Sequence, residues 1–133
     1  MQNSKRYFSI LVICCFVFAG CHWLKSRKTP EEVVVAFCTA YCNLDFEEAV
    51  LYCDAETAVL MEALRAFSIG MSRENQMELK KTAKFIQSAT CSINGDIALC
   101  RICCDENGLN ASQEMTLRRQ KDGRWLVFIE KEE

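Results

Sequence analysis

The hydrophobic period of this chain changes once, near Lys84. Before that point apolar residues recur at helical spacing: Val33, Val34, Phe37, Ala40 and Tyr41 in one run, and Val59, Leu60, Ala63, Leu64 and Phe67 in another. After it they alternate. Met115 and Leu117 oppose Glu114, Thr116 and Arg118, and Trp125, Val127 and Ile129 oppose Leu126 and Phe128. A helical half followed by a strand half selects the α+β class, because helices then gather on one face of an antiparallel sheet.

The helical half carries its own punctuation. Thr29-Pro30-Glu31-Glu32 reads as a capping box with proline at the first helical position. Asn43-Leu44-Asp45 breaks that helix, and Asp45 caps a short one running through Ala49, Val50 and Leu51. Asp54 caps a third over residues 55–67, with Val59, Leu60, Ala63, Leu64 and Phe67 expected on its buried side, and Gly70 ends it. Ser72 opens a fourth, more polar helix to about Ala83.

Four strands follow. Residues 85–93 and 97–104 flank Asn94-Gly95, the strongest short hairpin signal, because both residues tolerate positive φ. A polar connection precedes a strand over residues 112–120, and Lys121-Asp122-Gly123 turns the chain into a last strand over residues 124–130. That last strand is apolar on both faces, so it is expected to be central or covered by a partner. The helix from Pro30 is the expected cover of a curved four-stranded antiparallel sheet.

The N-terminus is of a different kind. Lys5 and Arg6 precede an unbroken apolar run over residues 7–18. At about 12 residues it is too short for a membrane span, which needs roughly 20, and it has the length of a signal-peptide core. It ends Phe18-Ala19-Gly20-Cys21, small residues before a cysteine. This resembles the lipobox of bacterial lipoproteins, with phenylalanine where leucine is usual. The resemblance implies cleavage before Cys21, lipid attachment at Cys21 and a bacterial cell envelope address. Neither an aspartate nor an acidic run follows the cysteine, which by the same resemblance implies the outer membrane, facing the periplasm. Residues 1–20 then form the signal, 21–28 a lipidated tether and 29–133 one domain. In the tether, Trp23, Lys25, Arg27 and Lys28 also suit anionic headgroups.

Removing the signal leaves 14 basic and 18 acidic residues. A mildly acidic domain of scattered charge argues against nucleic-acid binding, which draws its affinity from cations on phosphates. Seven cysteines remain beyond Cys21: Cys38, Cys42, Cys53, Cys91, Cys100, Cys103 and Cys104. They read either as small buried apolar side chains or as one or two disulfides formed in an oxidising compartment. The one histidine, His22, lies in the tether, so neither a metal site nor a cofactor is expected.

The order of segments adds to this reading. A lipobox is followed by TPEEVVVAF, LDFEEA, INGDIAL and a closing LRRQKDGRWLV. Together these resemble small bacterial lipoproteins that share a cystatin-like, nuclear-transport-factor-two-like domain. The resemblance covers about residues 29–130; the many cysteines, with Cys103-Cys104, depart from it. It implies a curved antiparallel sheet around an N-terminal helix, with a pocket between them. Enzymes on that fold place an Asp or His base and acid or tyrosine donors inside the cone, and no such set is legible here. The acids Glu31, Glu32, Asp45, Glu47 and Glu48 sit at helix starts, where capping and the helix dipole account for them. Fold alone licenses no reaction.

Three functional classes follow from these readings. The first is a lipid-anchored module that binds a small apolar ligand or an envelope protein, or pairs with a second copy. It predicts a cavity lined by Phe37, Tyr41, Leu64, Met115 and Trp125, or an exposed apolar patch. The second is an isomerase or dehydratase, which predicts a buried acid facing a tyrosine. The third is a cysteine-based redox sensor, which needs an exposed reactive thiol.

Overall fold

The computed structural model describes residues 27–104 and 113–130. The signal, Cys21 and most of the tether lie outside the described residues. Four helices precede four strands: α1 (Pro30–Cys42), α2 (Phe46–Val50), α3 (Ala55–Ile69), α4 (Arg73–Phe85), then β1 (Ile86–Asn94), β2 (Ile97–Cys104), β3 (Glu114–Arg119) and β4 (Trp125–Phe128). The architecture is α+β, with an open antiparallel sheet in the order β1-β2-β3-β4.

Every helix begins on a side-chain cap. Thr29 Oγ1 accepts from the Glu32 amide at 3.3 Å, while Glu32 Oε2 accepts from the Thr29 amide at 3.1 Å. Asp45 Oδ1 accepts from Glu48 N at 3.2 Å, Asp54 Oδ1 from Thr57 N at 2.9 Å, and Ser72 Oγ from Asn75 N at 3.3 Å. Each cap satisfies an amide that has no partner inside its helix. Between α1 and α2, Leu44 adopts a positive φ of 59°. Its partly buried side chain packs on the core, which holds this uncommon backbone in place.

The β1–β2 loop differs by one residue from its sequence reading. Asn94 pairs with Ile97, so the two-residue loop is Gly95-Asp96. Gly95, not Asn94, takes the positive φ of 62°. Arg119 of β3 clamps this loop, donating from Nη2 to the Gly95 carbonyl at 2.7 Å and from Nε to Asp96 Oδ1 at 3.2 Å.

Helix α1 lies on one face of the sheet, against β1, β2 and β4. Its Val33, Val34, Phe37 and Cys38 meet Ala98, Cys100 and Ile102 of β2, Leu117 of β3, and Trp125 and Val127 of β4 in a single buried cluster. Phe46 and Ala49 from α2, Cys53, and Met61 from α3 complete it. In β2 the alternate residues Ala98, Cys100 and Ile102 are buried, as the pleat requires.

Two expectations are overturned. Of the two alternatives for β4, central or covered by a partner, the first is overturned: β4 is an edge strand. Its open side is covered from within the chain: Val127 N donates to the Tyr52 carbonyl at 2.8 Å, and Asp54 N donates to the Val127 carbonyl at 3.0 Å. This parallel bridge through Cys53 shields an edge that would otherwise invite a foreign strand. The second correction concerns α3. Its buried residues are Thr57 and Met61, whereas Val59 and Phe67 are each 71% exposed and Leu60 is 40% exposed. Phe85, read as the start of a strand, ends α4 instead.

Candidate interaction surface

The rotation of α3 is fixed at its first turn. Residues 52–54 are tied to β4, Asp54 caps the helix, and the Thr57 hydroxyl accepts from the amide of Ile129 at 3.1 Å. These bonds turn Thr57, Met61 and Leu64, which lie three and four residues apart, toward the core. The opposite face must then point outward. It carries Val59, Leu60, Ala63, Ala66 and Phe67, all exposed, and Ile69 at the end of the helix is 82% exposed. The helix is apolar on two sides, and the core takes the side with less hydrophobic area.

The C-terminal end of α3 is held by an elbow, not by core packing. Gln76 Nε2 donates to the carbonyls of Ser68 and Met71 at 3.3 and 3.2 Å. Glu62 and Arg65 form a surface ion pair at 3.3 Å. Glu56 is the acidic residue of the first turn.

The five residues expected to line a pocket are brought together. Phe37 and Trp125 are buried in the central cluster, and Tyr41, Leu64 and Met115 pack against it. Tyr41 stacks on Phe37 at 6.4 Å between ring centroids and meets the edge of Phe46 at 6.0 Å. Cys38 Sγ lies 4.0 Å from Met115 Sδ. All five therefore belong to or border the packed cluster between helix and sheet.

A concavity of about 320 Å³ lies elsewhere, as a wide groove along α1 and α2 lined by Ala36, Thr39, Ala40, Asn43, Asp45 and Glu48. Its carboxylates are already engaged. Asp45 caps α2, and Glu48 Oε1 accepts from the Tyr52 hydroxyl at 2.7 Å. That bond, then partial burial and the Glu48 charge, raise the Tyr52 pKa above its ordinary value. This acid–tyrosine pair is at the surface. Among the described residues the one buried polar side chain is Thr57, so no carboxylate sits in the core.

Cys91 and Cys100 face each other across β1 and β2 and form a disulfide, with Cα atoms 4.0 Å apart. Cys53 is buried outside any disulfide, and Cys103 is exposed. Burial, with a smaller contribution from the Asp54 charge, pushes the Cys53 thiol up to about 11. The pairing of Cys91 with Cys100 was one of many that the spacing allowed, and its signal is visible only once the hairpin register is known.

The outer face of the sheet also exposes apolar residues, with Leu99 at 45% and Ile97 at 38%. There, however, the Arg118 guanidinium covers the Phe128 ring at 4.3 Å from its centroid. The α3 stripe has no such cover among the described residues, which makes it the foremost candidate site. No family model matches the chain, and neither the curated proteins nor the solved structures provide a match.

Proposed function

We propose that the chain is an envelope lipoprotein, held at a membrane through a lipid on Cys21, whose domain binds a protein through the outward face of α3. The observation that carries this reading is the exposure of Val59 and Phe67 at 71% each, next to Leu60. Contiguous exposed apolar side chains of this size are uncommon on a monomer and mark interaction sites. Covering each of the large ones contributes roughly 1.5–3 kcal/mol.

The anchor rests on sequence: Lys5 and Arg6, the apolar run over residues 7–18, and Ala19-Gly20-Cys21. Among the described residues no helix is long and apolar enough to cross a membrane. The laying of α1 on one face of a four-stranded meander supports the cystatin-like, nuclear-transport-factor-two-like reading of the domain. A protein partner is favoured over a small apolar ligand because Phe37, Tyr41, Leu64, Met115 and Trp125 spend their surface on one another and on the core.

Two measurements on protein from its own membrane test the reading. Intact mass should give a chain beginning at Cys21 with a diacyl- or triacylglyceryl addition, and a mass without lipid overturns the anchor. A photo-crosslinking residue in place of Val59 should give a protein adduct. Its absence, with the chain folded, overturns the interaction face.

A further inference from the structure

We propose that the end of the domain carrying both hairpin turns is a docking surface for an anionic lipid bilayer, so that the anchored domain lies against its own membrane on that end. The proposal rests on the lipid anchor at Cys21 and names the surface that the anchor brings within reach of the headgroups. The antiparallel order of the sheet places the β1–β2 loop and the β3–β4 turn at one end. Arg119 ties strand to loop there: its amide donates to the Asp96 carbonyl at 2.7 Å, and its Nη2 to the Gly95 carbonyl at 2.7 Å. The tether enters at the same end. The Arg27 guanidinium lies over the β3–β4 turn, with Cζ 3.5 Å from where a Cβ on Gly123 would sit. Arg27 comes six positions after Cys21, so the chain between them spans at most about 22 Å.

The charge of the domain divides along the same axis. The tether end carries Arg27, Lys28, Arg119, Lys121 and Arg124, all exposed, and Lys25 lies two positions before Arg27. Four carboxylates share that end, and three are engaged there. Asp96 pairs with Arg119 at 3.2 Å, Asp122 pairs with Arg124 at 2.7 Å, and Glu32 closes the Thr29 cap; the fourth is Glu31 in the first turn of α1. The far end is the reverse. Helix α1 runs down the sheet from the turns, reaching Met115 at Cys38, and its 13 residues span about 20 Å. No lysine or arginine occurs between Lys28 and Arg65. Asp45, Glu47 and Glu48 follow the C-terminus of α1, and Glu56 sits near the end of β4, where Thr57 meets Ile129. A division of this sense turns the basic end toward a negative surface and the acidic end away from it. The tip of the basic end is also apolar: Ile93, 54% exposed, and Ile97, 38% exposed, flank the β1–β2 loop. Apolar side chains beside cations suit the headgroup boundary, where the first leave water and the second meet phosphate.

The test uses the chain as its own cells make it, with a diazirine amino acid in place of Ile97, purified in detergent and reconstituted in vesicles. In vesicles of equal parts phosphatidylglycerol and phosphatidylcholine, irradiation should give a lipid adduct at position 97. The yield should fall several-fold in phosphatidylcholine alone, and likewise at high salt, which screens the attraction. A diazirine in place of Glu47, at the acidic end, should give no lipid adduct in either. Lys28→Glu combined with Lys121→Glu should lower the ratio of docked to undocked domain at least about 25-fold, about fivefold for each cation lost. Both lysines lie outside every helix and strand, and the salt response reads the same attraction on the unaltered surface. An adduct equal in both vesicles, indifferent to salt and to the double variant, or equally strong from position 47, overturns the proposal. No lipid adduct, from a chain that intact mass shows to be lipidated and that floats with the vesicles, also overturns it and leaves the anchor standing. A chain that has no lipid in its mass and does not float removes the anchor and this proposal together.

Discussion

The Thr57 hydroxyl accepts a hydrogen bond from the Ile129 amide across 72 residues of sequence, joining the first turn of α3 to the end of β4. Thr57 is 2% exposed, so water cannot replace it as the acceptor without opening the contact. Thr57→Val keeps the volume and removes the acceptor. It should cost roughly 1–2 kcal/mol, read as a lower urea midpoint with an unchanged m-value. A midpoint equal to wild type would mean that packing alone orients α3.

The disulfide between Cys91 and Cys100 closes a hairpin with a sequence separation of 9. Chain-entropy arguments assign a loop of this length about 2–3 kcal/mol, acting mainly on the unfolded state. Reductant should therefore lower the unfolding midpoint of the wild-type chain. Cys91→Ser should start from the lower midpoint and show no response to reductant. If reductant leaves the wild-type midpoint unchanged, the hairpin register and the buried side of β2 hold these strands without the bond.

Cys53 links pH to stability. Its ordinary pKa of 9.0 rises to about 11 in the fold, chiefly through burial. Below pH 9 the thiol is protonated whether folded or unfolded, and it contributes no pH dependence. Between about 9 and 11 the unfolded chain releases this proton and the folded chain keeps it, so stability falls as pH rises. Cys53→Ala should remove roughly 1–2 kcal/mol of that fall. The readout is the difference between variant and wild type across the same pH range, which cancels every group common to both. Alkylation at pH 8 should label exposed Cys103 in the native state and reach Cys53 only on unfolding.

Gly95 tests the β1–β2 loop. Its φ of 62° is one that L side chains rarely adopt, and a Cβ placed there meets nothing within 4 Å. The cost of Gly95→Ala is thus backbone strain alone, about 1 kcal/mol. Gly95→Asn should cost less, because Asn tolerates the left-handed region. On a domain of this size the alanine variant should melt about 4–8 °C lower. Equal melting of both variants would show that the loop relaxes to another turn despite the Arg119 clamp.

Local rules were legible in the sequence wherever the residue that sets the structure lies within a few positions of its effect. Thr29, Asp45, Asp54 and Ser72 all cap as their spacing predicts, and β2 spans residues 97–104, the return strand expected after the Asn94-Gly95 signal. Non-local facts were not legible. Pairing of Cys91 with Cys100 depends on hairpin register, and the cover on β4 comes from residues 52–54, far away in the chain. The outward turn of α3 was missed for the same reason. Periodicity measures which face of a helix is more apolar, but a bond from Ile129 decided which face went inward.

Substitutions along α3 separate the two assignments of its faces. Periodicity alone would bury Val59 and Phe67 and predict severe losses on truncating them. In the fold they are each 71% exposed, while Met61 is 1% exposed within the central cluster. Val59→Ser and Phe67→Ser should change unfolding free energy by no more than about 0.5 kcal/mol when measured on the monomer at low concentration. Met61→Ala removes a long side chain from a site with little room to collapse and should cost about 2–5 kcal/mol. The opposite ranking at low concentration, with Phe67→Ser worse than Met61→Ala, would place the stripe in the core and leave no surface for a partner.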